Sequence, residues 1–266
     1  MSGPELERSA TGVTRAGEAG IGDPVLWHEA ECGGYAADLR FWERLASGGD
    51  GPVLDLGAGS GRVSLHLARR GLEVIAVDSD PLLIEALRTK AAAEGLRVAS
   101  IAGDVRELGG VPLSVATVIA PMQLLHLMGG PEGRARVLEG MLTLIEPGGR
   151  FHAALLADMP ALGSFTPEPM PDVRESEGMW VHASIPAAVE IDEEGLDIVR
   201  LRQLVGPDGT LEEEHNVIRL ERLEPELLEA EAAALGWQVL ERTPVDETED
   251  HVASVIVSLE APGAPS

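Results

Sequence analysis

The chain has 266 residues, 44% of them hydrophobic, which is enough to bury a sizeable core in one elaborated domain. It carries 45 acidic against 20 basic residues, a formal net charge of −25. A field of that sign repels phosphate backbones, so nucleic acid is not an expected partner. The acidity serves solubility, or it draws in a cationic or amine-bearing small molecule. Cys32 is the single cysteine, which excludes intrachain disulfides and a cysteine-rich metal site. No run of about 18 apolar residues is present for a membrane span, and the first 20 residues lack the apolar core of a secretory signal. A cytoplasmic protein with a disordered leader over residues 1–20 is expected.

In chain order, Trp27 to Leu45 reads as a helix, from the spacing of Ala37, Phe41, Trp42 and Leu45. Val53 to Leu56 is a short apolar run closed by glycines, and predicts a buried strand. Ser60 to Arg70 predicts a helix capped by Gly71. Glu73 to Val77 is a second strand, and Pro81 to Glu94 a helix with Asp80 as N-cap and Pro81 in its first turn. Leu96 to Ile101 and Val115 to Ala120 follow as strands. Glu132 to Ile145 predicts a helix, closed by Pro147-Gly148-Gly149, and Arg150 to Leu156 a fifth strand. This alternation gives a doubly wound α/β fold with a mostly parallel sheet and helices on both faces.

The rhythm then changes. Leu162 to Pro171 is proline-rich, and three strand-like runs follow at Met179 to Ile191, Leu196 to Val205 and Glu212 to Leu220. Gly195 and the Pro207-Asp208-Gly209 turn separate them, so an inserted antiparallel meander is expected. Pro225 to Leu235 reads as a helix, Trp237 to Arg242 as a sixth strand, and His251 to Leu259 as a seventh, antiparallel one. The expected division is a helical lid over 21–49, a nucleotide-binding-type domain over 50–160 and 222–260, and inserted strands over 161–221. Those strands would form a substrate cap or a homodimer interface.

The strongest motif is Val53-Leu54-Asp55-Leu56-Gly57-Ala58-Gly59-Ser60-Gly61-Arg62, which joins the first strand to the first helix of the alternating part. Ligands of doubly wound sheets bind at such carboxyl ends, and glycines let a ligand approach the backbone. A plain connecting turn is one reading. A dinucleotide site is another, but its G-x-G-x-x-G spacing is broken here by a third glycine one residue early. A third reading is S-adenosylmethionine, whose ammonium, carboxylate and sulfonium suit an acidic strand end beside free backbone donors.

VLDLGAGSGR resembles the first motif of class I S-adenosylmethionine-dependent methyltransferases. Asp78, followed by Ser79, matches the family's second-strand acid, which grips both ribose hydroxyls. Gly103-Asp104-Val105 is similar to the element whose aspartate and following amide read adenine. Ala120-Pro121-Met122-Gln123 occupies the fourth-strand end that faces the methyl group, and Leu144 to Gly149 resembles the L-x-P-G-G turn. The resemblance runs from about Trp27 to Leu156 and resumes at Gly236 to Leu259, where it implies a seven-stranded sheet. The segment at Tyr35 and the inserted strands are loosely similar to glycine and amino-sugar N-methyltransferases. The Asn/Asp-Pro-Pro-Tyr/Phe motif of base-modifying members is missing from the fourth-strand end, which points to a small molecule.

The resemblance implies methyl transfer to a nitrogen or oxygen by in-line displacement, leaving S-adenosylhomocysteine. It implies cofactor contacts from Tyr35, Asp55, Gly57, Ala58, Gly59, Gly61, Asp78, Ser79, Asp104, Val105, Ala120 and Met122. His126 is the first candidate base, with packing of a local helix as the alternative, and Gln123 is a candidate to orient substrate. Trp27 and His28 are candidates for a lid. His152 reads as a core histidine, and His182 and His215 as solvent-facing or as substrate contacts. No cluster has metal-ligand spacing. Other adenosyl chemistry such as aminopropyl transfer, a non-catalytic cofactor-binding subunit, and a nicotinamide dehydrogenase remain as alternatives.

Overall fold

A computed structural model describes residues 12–15, 20–168, 170–176, 178–248 and 251–264. Through the first half run β1 (Gly12–Arg15), α1 (Pro24–Glu31), α2 (Leu39–Ala46), β2 (Val53–Leu56), α3 (Arg62–Arg69), β3 (Val74–Asp78), α4 (Pro81–Glu94), β4 (Val98–Ala102), β5 (Val115–Ala120), α5 (Pro131–Leu144) and β6 (Ile145–Leu156). Then come β7 (Gly163–Phe165), β8 (Asp172–Ser176), β9 (Trp180–Ile191), β10 (Gly195–Val205), β11 (Leu211–Glu221), α6 (Pro225–Ala234), β12 (Gln238–Val239), β13 (Thr243–Val245) and β14 (Ser254–Glu260). The chain divides into two compact units, 1–31 with 162–220 and 32–161 with 221–266.

The larger unit holds a sheet of order β12-β14-β6-β5-β2-β3-β4, with β13 also on β14. Strands β4, β3, β2, β5 and β6 pair in parallel, and β14 pairs antiparallel with β6. This is the expected α/β architecture, with one difference. The predicted sixth strand, Trp237 to Arg242, is only β12, and a further short strand, β13, follows it, so the sheet counts eight strands rather than seven. Its order reverses between β2 and β5, the position where such sheets bind ligands.

Alternation along the strands sends side chains into two cores. Leu54, Leu56, Val118, Phe151 and Leu155 pack with Val137, Leu138 and Met141 of α5 and Leu228 of α6. Val53, Val74, Ile119 and Ile256 pack with Trp42 of α2 and Val63 and Leu67 of α3. The second face also receives Asp55, two residues after Val53.

Several boundaries differ from the sequence reading. The predicted helix from Trp27 to Leu45 is two helices with a break at residues 32–38, where Gly33 and Gly34 disfavour helix and where one unit ends and the other begins. Residues 20–31 therefore group with the meander rather than with 32–49 as one lid. The glycine bend runs to Gly61, so α3 starts at Arg62, two residues later than predicted.

The smaller unit is a six-stranded sheet of order β1-β11-β10-β9-β7, with β8 also on β9. β9 and β10 pair antiparallel along their length, as the meander reading expects. The proline-rich stretch holds β7, and β8 follows it directly. The leader is not wholly unstructured, because Gly12–Arg15 pairs in parallel with β11. Its other residues, 1–11 and 16–19, lie outside the described ones. Glu31 of α1 accepts hydrogen bonds from Arg202 at 2.8 Å twice and from Ser184 at 2.7 Å, which anchors α1 on the strands.

Candidate active site

The bend after β2 has a left-handed backbone at three positions, with φ of 67° at Gly57, 55° at Gly59 and 99° at Gly61. A Cβ at Gly57 would lie 2.9 Å from Leu124 Cδ1, and one at Gly61 would lie 2.9 Å from Leu87 Cγ. Glycine is required here by both dihedral and space. The Ala58 N–H donates to the Val77 carbonyl at 3.0 Å, and the Gly59 N–H to Asp78 Oδ2 at 2.8 Å. Asp78 Oδ1 accepts from the Asp80 N–H at 2.9 Å. Asp78 thus pins the bend to the end of β3. A carboxylate has about four acceptor sites, so capacity for a diol is left. Ser79, next to it, is exposed.

Asp55 is fully buried. Its Oδ2 accepts from Ser64 Oγ at 2.5 Å, while Oδ1 has no hydrogen-bond partner among the described residues. Burial pushes its pKa up to about 7, against a smaller opposing effect of the Ser64 hydrogen bond. A lone buried acceptor beside a glycine cradle is the kind of group a ligand cation or a water completes.

At the end of β4, the Gly103 N–H donates to the Asp78 carbonyl at 2.8 Å. Asp104 caps a 3₁₀ turn, Val105–Glu107, accepting from the Arg106 N–H at 2.8 Å. Its carboxylate also receives Arg106 Nε at 2.9 and 3.0 Å and Arg106 Nη2 at 2.6 Å. That guanidinium lowers the Asp104 pKa. Arg106 thus takes up much of the Asp104 carboxylate, the group expected to read adenine. The pair is partly exposed, so opening it costs little. Val105 is buried in the core, which leaves its backbone for any ligand contact.

β5 ends in buried Ala120, and the backbone then turns left-handed twice, at Met122 and Gln123, each with φ of 56°. Neither residue favours that region, and each such position costs about 1–3 kcal/mol unless its surroundings enforce it. Gln123 Nε2 donates to Ser254 Oγ at 3.1 Å, and Leu124 packs against Gly57. This strained elbow, set beside the glycine bend, has no signal in the sequence.

His126 does not suit the role of base expected for it. It is fully buried in the 3₁₀ turn Leu124–Leu127. Nε2 accepts the Leu156 N–H at 3.2 Å, so Nδ1 carries the proton and donates to the Glu221 carbonyl at 2.8 Å. Both nitrogens are used, and burial lowers the pKa. The ring joins the last residues of β6 and β11, where the chain leaves and re-enters this unit. Arg134, also buried, holds Glu221 at 3.1 Å and Glu231 at 2.6 and 2.8 Å.

A second group was not read from the sequence. Arg62 Nη1 and Nη2 donate to Asp38 at 2.5 and 2.9 Å, and Nη1 donates to the Tyr35 carbonyl at 2.9 Å. Trp42 Nε1 donates to Asp38 at 2.7 Å. The Tyr35 ring stacks on the His251 ring at 3.9 Å between centroids and has the Arg62 guanidinium 5.2 Å from its centroid. Burial raises its pKa. The arginine that ends the glycine motif was the available clue, since a buried guanidinium calls for a carboxylate partner.

The other candidates fall elsewhere. His152 is a buried core histidine bonded to Ser258 Oγ at 2.8 Å, and burial pulls its pKa down to about 4. Trp27 and His28 lie on α1 in the smaller unit, where Trp27 is buried and donates to the Ile21 carbonyl at 2.6 Å. His182 is buried there too, against the expectation of a solvent-facing ring. His215 is half-buried on β11. Among the described residues no group of three or more His, Cys, Asp or Glu is arranged for a metal, and no helix is long and apolar enough to cross a membrane.

Residues 53–149 match a family profile described as a methyltransferase domain. An uncharacterized methyltransferase of Bacillus subtilis, YodH, is 30% identical over 135 residues, 49% of this chain and 55% of the relative. The chain spans about half the length of the curated relatives it matches. The fold is similar to that of the CcbJ methyltransferase from Streptomyces caelestis, with a TM-score of 0.65 and 23% identity over 88% of this chain and 90% of that one. It is also similar to the sugar N-methyltransferase KedS8 from Streptoalloteichus, with a TM-score of 0.71 and 16% identity over 96% and 99% of the two chains. Residues 53–149 thus match a methyltransferase-domain profile, within a fold shared with solved methyltransferases.

Proposed function

We propose that the protein transfers a methyl group from S-adenosylmethionine to a nitrogen or oxygen of a small molecule. The observation that carries this is the glycine bend pinned to Asp78 at the point where the sheet order reverses, with the unpartnered Asp55 oxygen behind it. The domain match covers the same stretch.

Gly57, Ala58, Gly59 and Gly61 would let the cofactor lie against bare backbone, and Asp78, with Ser79 beside it, would accept the ribose hydroxyls. Asp55 would offset the ammonium through Oδ1. Asp104, Val105 and Tyr35 are proposed at the rim, and Ala120, Met122 and Gln123 at the methyl-transfer face. When bound, the cofactor supplies a methyl group made electrophilic by its sulfonium. The strained Met122–Gln123 elbow then serves orientation and exclusion of water, which supply much of the rate in an in-line displacement. Both His126 nitrogens are already hydrogen-bonded, so His126 is not proposed as the base.

The acceptor is proposed to be an amine-bearing small molecule, in keeping with the net charge of −25. A second copy of the chain is a further proposed partner, supported by Leu162, Phe165, Met179 and Leu211 exposed on the smaller unit. Light scattering on the purified protein tests that. Transfer of labelled methyl from S-adenosylmethionine to a panel of amines, phenols and carboxylates tests the activity. Cofactor binding with no transfer to any acceptor would favour a non-catalytic subunit.

A further inference from the structure

The smaller unit has a cavity of its own, of about 660 Å³. Leu26 of α1, Trp180 of β9 and Leu204 of β10 form its apolar wall, and Asp23, Glu175 and His182 its polar side. Among the described residues no lysine or arginine lines it. The two carboxylates are in no ion pair among the described residues. Asp23 Oδ1 is engaged only locally, accepting from the Val25 N–H at 2.8 Å.

His182 has an unmet need here. The Asp23 N–H lies 3.4 Å from Nε2 as donor, so the hydrogen of this buried ring sits on Nδ1, which has no hydrogen-bond partner among the described residues. The ring is 3% exposed. Gly22, at φ of 69°, lets the chain pass so close that a Cβ would lie 2.9 Å from Nε2. Trp27 meets the ring edge-on at 4.7 Å. A ring so enclosed is not free to turn toward another partner. Burial lowers its pKa, so it adds no positive charge at neutral pH. The cavity therefore presents two negative groups beside an indole ring.

We propose that this cavity binds an organic ammonium ion with an apolar body. The charge would lie between the carboxylates and the Trp180 ring, and the body against Leu26 and Leu204. The protein's acidic field adds long-range attraction for the same class of ligand. This preference for a cation does not depend on the methyl-transfer reading.

Calorimetric titration of the full chain with phenethylamine, phenethyl alcohol and phenylpropionate tests this, with S-adenosylhomocysteine titrated in parallel. The ammonium should bind at least roughly tenfold more tightly than the alcohol, and the carboxylate not measurably. Glu175→Gln and Trp180→Leu should each weaken the ammonium by about three- to tenfold, and Glu175→Gln should leave the alcohol unchanged. Glu175 is exposed, so its variant keeps the test decisive if Trp180→Leu does not fold. Equal affinities for ammonium and alcohol, no binding of the ammonium, or a cation preference intact in Glu175→Gln would each overturn the proposal. A cation preference in a protein that does not bind S-adenosylhomocysteine would refute the methyl-transfer reading and leave the cavity standing.

Discussion

Replacing Asp55 by Asn separates stability from ligand binding at one atom. In the folded protein the carboxyl group has a pKa of about 7, because burial disfavours its charge; its ordinary value is 3.8. Folding therefore favours the protonated form. Between these two pH values the folded state binds more protons than the unfolded, so stability from this group falls as pH rises and the full penalty is present above about pH 7. A displacement of about three pH units corresponds to roughly 4 kcal/mol. Asn has the same shape, can still accept from Ser64 Oγ, and does not ionise. The variant should match the wild type near pH 4 and exceed it by up to about 4 kcal/mol near pH 8, read from urea denaturation at each pH. His126 and His152 work in the opposite direction over part of this range, so the difference between the two proteins is the informative quantity. Affinity for S-adenosylhomocysteine near pH 8 should move the other way, down by at least about tenfold, as the charge facing the ammonium is lost. A variant less stable than wild type near pH 8 would refute the electrostatic argument. A stability gain with unchanged affinity would remove Asp55 from the cofactor's ammonium.

Asp78→Ala should weaken S-adenosylhomocysteine by about 1–3 kcal/mol, through lost charged hydrogen bonds and a released bend; an unchanged calorimetric affinity would take the residue out of the site. Gly57→Ala should destabilise the protein by about 1–3 kcal/mol and disturb the packing of Leu124, visible as a lower denaturation midpoint; a neutral variant would contradict the left-handed, crowded geometry. His126→Ala should cost about 2–4 kcal/mol, since the Leu156 N–H and Glu221 carbonyl both lose their partner. Turnover per folded molecule should keep its pH profile, whereas loss of the low-pH limb in that profile would restore His126 as a base. Burial lowers the His126 pKa from 6.5, so the unfolded state binds the proton more readily. Its contribution to stability should therefore be full above about pH 6.5 and fade as pH falls below it, a dependence the variant should lack.

Features that depend on neighbours in sequence were readable. The strand-glycine-helix junction at Val53 to Arg62, the Asp80-Pro81 cap and the Asp78 strand end are each set by a few adjacent residues, and the structure has them where the pattern places them. Features set by distant partners were not. His126 takes its role from Leu156 and Glu221, 30 and 95 residues away, which no local pattern records. Met122 and Gln123 take a backbone conformation that their own side chains disfavour, so only tertiary constraint reveals it. Arg62 was visible as the end of a motif, but its carboxylate, Asp38, lies 24 residues earlier in a segment that reads as continuous helix. Strand β1 was hidden for a similar reason: four residues in a glycine-rich leader pair with β11, about 200 residues on.

The most direct measurement is a crystal structure of the protein with S-adenosylhomocysteine. Adenosine should lie across the ends of β2 and β3, with both ribose hydroxyls on Asp78 and the amino group toward Asp55. Density for the ligand anywhere else, or a bend that stays empty at saturating ligand, would contradict the account.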